Sequence, residues 1–380
     1  MSGGPGSGAE PQRSDLLRPE LLRPRLLAWY EGAARTLPWR TSPTPYHVLL
    51  SELMLQQTRV ETVIPYFHRF VERWPTLEAL AAAEEQEVLA AWAGLGYYRR
   101  ARSLLAAARA AVARGGLPAD VAGLLELPGI GPYTAGAIAS IAFGLPAAAV
   151  DGNVERVLSR VDGIETNPRS PQGARALRAR AEAISAVGVA AEVTQALMEL
   201  GATVCTPRRP RCAQCPWQEP CVARRGGRAE ELPRLPARTK PLPVQGVAGL
   251  LWRADGVWMG RRPPGLLGGL WEPVMAEVDG SLAPAVAVRQ AYARRAGLEV
   301  QVVRPLGQVV HVFTHRRLVL EVFELVELGP SPSGPDGSYE ALVSWDGNRQ
   351  TLALSKLAEK VLALGQPPAL WLAADPGAIW

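Results

Sequence analysis

Apolar residues recur at intervals of three and four from Leu16 to about Val204, Ala and Leu are abundant, and Gly-Pro pairs mark the turns. That period places the apolar positions on one face of a helix, so the segment reads as an all-α domain. The predicted helices run over Leu17 to Thr36, Tyr46 to Trp74, Leu77 to Trp92, Arg99 to Arg114, Val121 to Leu127, Tyr133 to Phe143, Asn153 to Val161, Gly173 to Ala186 and Ala190 to Gly201. Between Gly227 and Leu242 three prolines interrupt any period, as an interdomain linker would. Beyond it the period changes to two. Val244 to Arg253 and Val257 to Arg261 alternate around an Ala254-Asp255-Gly256 turn, and a helix follows near Ala283 to Arg295. Further strands are expected at Leu298 to Val303, Leu306 to Val312 and Arg317 to Leu328, and a last helix over Leu352 to Leu364. The second domain is therefore α+β with mixed strands. The expected organisation is a disordered Gly/Ser/Pro-rich tail over 1–15, a helical domain over 16–226, a linker over 227–243 and the α+β domain over 244–380.

A chain of 380 residues can bury two such cores. Its formal net charge is +5 and its sequence pI is near 9.2, which suits a polyanionic partner. The distribution is more telling. Nine basic residues (Arg208, Arg209, Arg211, Arg224, Arg225, Arg228, Arg234, Arg238 and Lys240) face three acidic ones (Glu219, Glu230 and Glu231) between Thr206 and Lys240, so this segment's excess of six outweighs the whole chain's charge. No apolar run reaches eighteen residues, the N-terminus lacks a secretory core, and Asp15 and Glu20 argue against a transit peptide. A reducing, intracellular compartment is expected.

At the start of the basic segment lie the chain's four cysteines, Cys205 just before it and Cys212, Cys215 and Cys221 within it, in a Cys-x6-Cys-x2-Cys-x5-Cys arrangement. Four thiolates in one loop can close a tetrahedral zinc site or ligate a cubane iron-sulfur cluster, and the wide gaps favour the cluster. Its expected role is to order the loop rather than to react.

Leu127-Pro128-Gly129-Ile130-Gly131-Pro132 sits between two predicted helices, where a tight glycine turn and the next helix N-terminus can present N–H groups to a phosphate. Gly129, Ile130 and Gly131 are the candidate contacts to such a phosphate. Glu52 lies on a helix with Val48, Leu49, Leu55 and Gln56 three and four residues away, so its carboxyl is expected to be desolvated and to hold its proton near neutrality. Asp151 precedes the helix near Asn153, where amide dipoles keep a carboxylate ionised. A proton donor beside a fixed anion suits general-acid chemistry that passes through a cation.

The order of hairpin, aspartate and four-cysteine loop resembles the helix-hairpin-helix endonuclease III superfamily of base-excision DNA glycosylases, and within it the adenine DNA glycosylase family. Leu37-Pro38-Trp39-Arg40, the run from Leu50 to Thr58 and Gly94-Leu95-Gly96-Tyr97-Tyr98 carry the same resemblance. It implies a 4Fe-4S cluster on the four cysteines, Glu52 as acid and Asp151 as the anion opposite the sugar. The superfamily's bifunctional members carry a nucleophilic lysine just after the hairpin. Tyr133 stands there, which implies a monofunctional, hydrolytic enzyme with Tyr133 holding the sugar or Asp151.

By the same resemblance Arg35, Trp39, Leu55 and Gln195 surround the extruded adenine, although Thr194 replaces the family's usual Asn beside it. Gln57, Thr58, Leu95 and Tyr97 are implied at the gap left in the stack, with Tyr98 in the core. The second domain resembles a Nudix fold whose helix, Val288 to Gly297, lacks the carboxylates that would hold magnesium. Phe313-Thr314-His315 matches the family's Phe-Ser-His loop for 8-oxoguanine, with Thr in place of Ser. The implied partner is double-stranded DNA bearing adenine opposite 8-oxoguanine or guanine, bound by a monomer in the cytoplasm at the nucleoid and not at a membrane. A pyrimidine-lesion lyase, a DNA-bound iron-sulfur electron carrier and a nucleotide pyrophosphohydrolase are the rival readings, opposed respectively by Tyr133, by the Glu52 and Asp151 pair, and by the missing carboxylates.

Overall fold

A computed structural model describes residues 17–236, 240–348 and 352–365. The expected tail over 1–15 lies outside the described residues, as do parts of the linker and of the C-terminal end. The chain divides into two units, one of residues to Ala82 with Ser103–Ala237, the other of Ala83–Arg102 with the residues from Arg238 onward.

The first unit is helical throughout. Its elements are α1 (Pro19–Ala33), α2 (Pro38–Thr41), α3 (Pro45–Leu55), α4 (Val60–Arg73) and α5 (Leu77–Ala81). After α6 (Glu85–Trp92), which belongs to the second unit, come α7 (Arg99–Ala113), α8 (Val121–Leu125), α9 (Pro132–Phe143), α10 (Gly152–Asp162), α11 (Pro171–Ile184), α12 (Ala190–Thr203) and α13 (Val222–Arg225). Local chemistry sets the ends. Thr44 caps α3 by accepting from the His47 N–H at 3.1 Å, with Pro45 at the first turn. Gly163 ends α10 in the left-handed region at φ 70°. One core of this unit gathers Leu22 and Leu26 of α1, Val154, Val157, Leu158 and Val161 of α10, Leu177 and Ile184 of α11 and Leu197 and Leu200 of α12.

The single helix expected over Tyr46 to Trp74 is two. It breaks at Gln57, whose φ of 57° lies outside the α region, and the turn closes with the Thr58 N–H bonded to Leu55 O at 3.1 Å. The helix expected over Leu77 to Trp92 likewise divides into α5 and α6. The first part of the expected linker is ordered on the helical unit, where Leu232 is buried and its carbonyl accepts from Arg160 Nε at 2.9 Å.

In the second unit, β1 (Leu242–Arg253) pairs in parallel with β6 (Arg316–Pro330), which pairs antiparallel with β5 (Leu298–Val312). On the other side β1 pairs with β2 (Gly256–Arg261), and β3 (Trp271–Pro273), β4 (Met275–Val278) and β7 (Ala341–Trp345) complete a mixed sheet. The two strands expected over Leu298 to Val312 are one, irregular where the register shifts around Val302 to Gly307 and Pro305 sits. Helix α14 (Pro284–Ala296) packs Val288, Ala291 and Tyr292 on one side of the sheet, and α15 (Lys356–Leu362) packs Leu357, Ala358 and Val361 in a separate core. No helix among the described residues is long and apolar enough to cross a membrane.

Candidate active site

The helix-hairpin-helix turn forms as its sequence requires. Gly129 has a φ of 76°, and a Cβ there would stand 2.3 Å from Ser103 Oγ, so both backbone and space demand glycine. Ile130 anchors the turn in the interior, Gly131 caps α9, and Pro132 takes its first position. Tyr133 thereby faces α3. Close approach continues at Gly136, where a Cβ would meet Ala148 O at 1.9 Å, and this draws the segment leading to Asp151 against α9.

Glu52, Tyr133 and Asp151 line a single cavity of about 760 Å³ in the helical unit. Glu52 is only 5 % exposed, and its carboxyl accepts a short hydrogen bond from the Tyr133 hydroxyl. Burial pushes its pKa up to about 7. The Tyr133 bond opposes that rise, the Asp151 charge adds to it, and Arg40 opposes it. Of the two partners expected for the Tyr133 hydroxyl, the sugar or Asp151, the second is corrected here: the hydroxyl donates to Glu52. Burial and the two carboxylates hold its own pKa well above the usual phenol value. Asp151 Oδ1 accepts from the N–H groups of Asn153 and Val154 at 2.9 and 2.8 Å, and Oδ2 accepts from Asn153 Nδ2 at 2.8 Å. Its cap and its aim into the cavity are one structure.

Arg35, Trp39, Leu55 and Gln195 line the same cavity, with Gln57 and Thr58. Trp39 is buried edge-on to Phe67 at 5.4 Å, and Gln195 Nε2 donates to Ala191 O at 3.2 Å. Among the charged residues of this wall, Arg40 and Glu199 had no site role assigned from the sequence. Arg40 and Glu199 both border the cavity, and Glu199 is a fully buried acid on α12. Its only sequence signal is a charge inside the apolar run Ala196-Leu197-Met198-Glu199-Leu200-Gly201, which a buried position would need to pair.

Leu95, Tyr97 and the Phe313-Thr314-His315 turn sit in the second unit. Tyr97 is 49 % exposed at a φ of 50°, whereas Leu95 is 6 % exposed, so of that pair only Tyr97 offers a ring at the surface. Arg100 lies over the Tyr97 ring at 5.6 Å. Tyr98 is buried as expected, and its hydroxyl donates to Leu354 O at 2.6 Å. Phe313, Thr314 and His315 form the tight turn between β5 and β6, closed by Phe313 N to Arg316 O at 2.8 Å. Thr314 and His315 are exposed, while the half-buried Phe313 ring lies tilted against His311 with centroids 4.6 Å apart. Helix α14 carries no acidic residue.

Around the cysteines, Cys205, Cys215 and Cys221 pack against the core of the helical unit. Arg160 Nη1 stands 3.4 Å from Cys205 Sγ, and Cys221 Sγ is 3.3 Å from Arg160 O. Burial pushes the Cys215 thiol up to about 12, and the other three cysteines add to the rise, so the four lie within each other's fields. Among the described residues no three His, Cys, Asp or Glu side chains make a group that could hold a single metal ion. Arg156 joins this loop to the cavity: it donates to Cys205 O at 2.7 Å and to Asn153 Oδ1 at 2.9 Å. Part of the basic excess is spent locally, since Arg228 and Arg234 both pair with Glu165 at 2.6 and 2.9 Å.

The profile of the HhH-GPD superfamily of base excision DNA repair proteins matches residues 50–183, and that of the NUDIX domain matches residues 247–364. An adenine DNA glycosylase of Rattus norvegicus is 36 % identical over 92 % of this chain and 78 % of its own length. The chain belongs to the adenine DNA glycosylase family. A second member, from Mycolicibacterium smegmatis, is 46 % identical over 50 % of this chain and 66 % of its own. A solved thermostable thymine-DNA glycosylase is 27 % identical, covers 55 % of this chain and 97 % of its own, and superimposes with a TM-score of 0.51. The enzyme is thus a DNA glycosylase of base excision repair, a hydrolase of N-glycosyl bonds whose partner is DNA, built from a helix-hairpin-helix domain and a Nudix-like domain.

Proposed function

We propose that the enzyme releases adenine mispaired with 8-oxoguanine, or with guanine, from duplex DNA and leaves the strand unbroken. The observation that carries this reading is the trio of Glu52, Tyr133 and Asp151 on one cavity. Adenine leaves poorly as an anion, and Glu52, protonated near neutrality, donates its proton to the purine as the C1′–N9 bond breaks. Tyr133 aims that carboxyl. Asp151, fixed by the α10 amides, faces the positive charge that develops on the sugar, and water adds its oxygen to C1′ while its proton passes to the Glu52 carboxylate, which gives the abasic site and restores the acid. No lysine follows the hairpin to attack the sugar as an amine.

Arg35, Trp39, Leu55 and Gln195 supply a wall for the extruded base that mixes an aromatic ring, an aliphatic face and polar edges. Gly129, Ile130 and Gly131 hold the DNA backbone. Gln57, Thr58, Leu95 and Tyr97 act around the vacated position, with the exposed Tyr97 ring as the group able to stack there. Phe313, Thr314 and His315 read the opposite base: a tight turn offers two polar side chains beside a ring, which suits an oxidised purine. Cys205, Cys212, Cys215 and Cys221 hold one 4Fe-4S cluster, a reading supported by an all-thiol donor set within one loop and by the Arg160 guanidinium at Cys205. When bound, the cluster ties residues 205–221 together covalently.

Opposite-base choice is tested with duplexes carrying adenine opposite 8-oxoguanine, guanine or thymine. Single-turnover release is expected to be fastest opposite 8-oxoguanine, and His315→Ala is expected to narrow that preference roughly tenfold, the worth of about one good hydrogen bond. Equal rates on all three duplexes contradict the specificity.

The acid's protonation sets a pH dependence. A carboxyl that titrates near 7 donates below that pH and has lost its proton above it, so the single-turnover rate is expected to fall about tenfold per pH unit on the alkaline side of about 7. Stopped time courses between about pH 6 and pH 9 check this; a rate that holds steady across that range contradicts Glu52 as donor.

A further inference from the structure

Glu199 is the one charged side chain on the cavity wall with no exposed surface at all. Its Oε1 accepts from Arg35 Nε at 2.5 Å, and its Oε2 accepts from Arg35 Nη2 at 3.2 Å and Arg40 Nη2 at 2.8 Å. Arg40 Nη1 reaches back to Arg35 O at 3.2 Å, which closes a three-residue lock between α12 and the segment that carries Trp39. With Nε and Nη2 of Arg35 turned toward Glu199, Nη1 is left on the opposite edge of a half-exposed guanidinium. Two positive charges meet one negative charge on this wall.

We propose that Glu199 is a positioning residue of the active site, whose carboxylate fixes the guanidinium of Arg35 against the base pocket and offsets the charge of Arg40, the arginine that faces Glu52. This rests on the reading of Glu52 as the acid. The charged and titratable groups facing Glu52 are Arg40 on α2, Tyr133 on α9 and Asp151 at the start of α10, with Arg35, Glu155, Arg156 and Glu199 on the walls of the same cavity. Arg40 already favours the ionised form of Glu52. The bonds from Arg35 and the charge of Arg40 outweigh the burial of Glu199 and hold it ionised. Without it, the Arg40 charge that faces Glu52 is uncompensated and draws its proton off at a lower pH, while the freed Arg35 and Arg40 guanidinium groups on the wall oppose positive charge on the departing purine.

The test is the pH dependence of single-turnover adenine release by the full-length protein and its Glu199→Gln variant. The alkaline fall is expected to begin about one pH unit lower in the variant, so that its loss relative to the parent is about fivefold greater near pH 8 than near pH 6, with Glu199→Asp recovering part of the difference. Removing one partner of a buried pair also costs stability, so Arg40→Gln provides the second arm. It deletes a facing positive charge, and the fall is expected to begin at higher pH. A fall that is present in the parent and unmoved in Glu199→Gln and Arg40→Gln contradicts the role of Glu199 and leaves it a staple between α12 and α2. A parent profile with no alkaline fall contradicts the Glu52 assignment, and this proposal with it.

Discussion

Glu52→Gln is expected to abolish adenine release, by a factor of about 10³ or more, while duplex binding stays within a few-fold of the parent. The amide keeps the size and still accepts from Tyr133, so the pocket survives, but it has no proton to give. The same substitution is expected to stabilise the protein. Folded, Glu52 keeps its proton up to about 7, whereas unfolded it ionises near 4.5, so the folded state binds the extra proton between those values and stability falls as pH rises through that window. The full cost, about 3 kcal/mol, is present above pH 7. Urea unfolding of parent and variant should therefore diverge with rising pH and converge below about pH 4.5. A Glu52→Gln protein that releases adenine at the parent's rate, or one that is less stable than the parent above neutrality, contradicts the assignment of a buried, protonated acid.

Cys215→Ser is expected to remove the visible charge-transfer absorbance of the purified protein and to lower its Tm by roughly 10 °C, as loss of a few kcal/mol does in a domain of this size. The physical reason is local. Residues 205–221 contain one 3-10 turn and otherwise irregular backbone, and Trp217 is the large side chain they bury. Tying four thiols to one group replaces the sheet or helix bonds that such a loop lacks. The loop in turn receives Arg156 and Arg160 from α10, the helix that Asp151 caps, so DNA binding and base release should fall together with the absorbance. Retained absorbance in Cys215→Ser contradicts that ligand set, and a change confined to absorbance, with Tm unmoved, contradicts its structural role.

Much of the site was legible because its residues sit in short segments whose local rules are strong. The glycine turn at Gly129, the cap at Asp151 and the apolar neighbours of Glu52 each follow from chain-local spacing, and the cavity brings Glu52 and Asp151 together. What was not legible depended on pairing across the chain. Glu199 is 164 residues from Arg35, and nothing near either residue says that they meet. Leu95 lies two residues from Tyr97, and only the fold buries the one and exposes the other. The break at Gln57 was hidden because Gln-Gln-Thr has no glycine or proline to announce a turn. Conversely, the pattern expected to end a strand near Val303 was only a local irregularity, since β5 continues beyond it along β6.

The most direct measurement is single-turnover chemistry on a duplex with adenine opposite 8-oxoguanine, following free adenine and strand scission with and without alkali. Release of adenine at the same rate as strand breaks that form only after alkali is the expected result, and it matches a buried acid, a capped aspartate and no amine nucleophile. Strand breaks without alkali, or no free adenine from this duplex, would contradict the account.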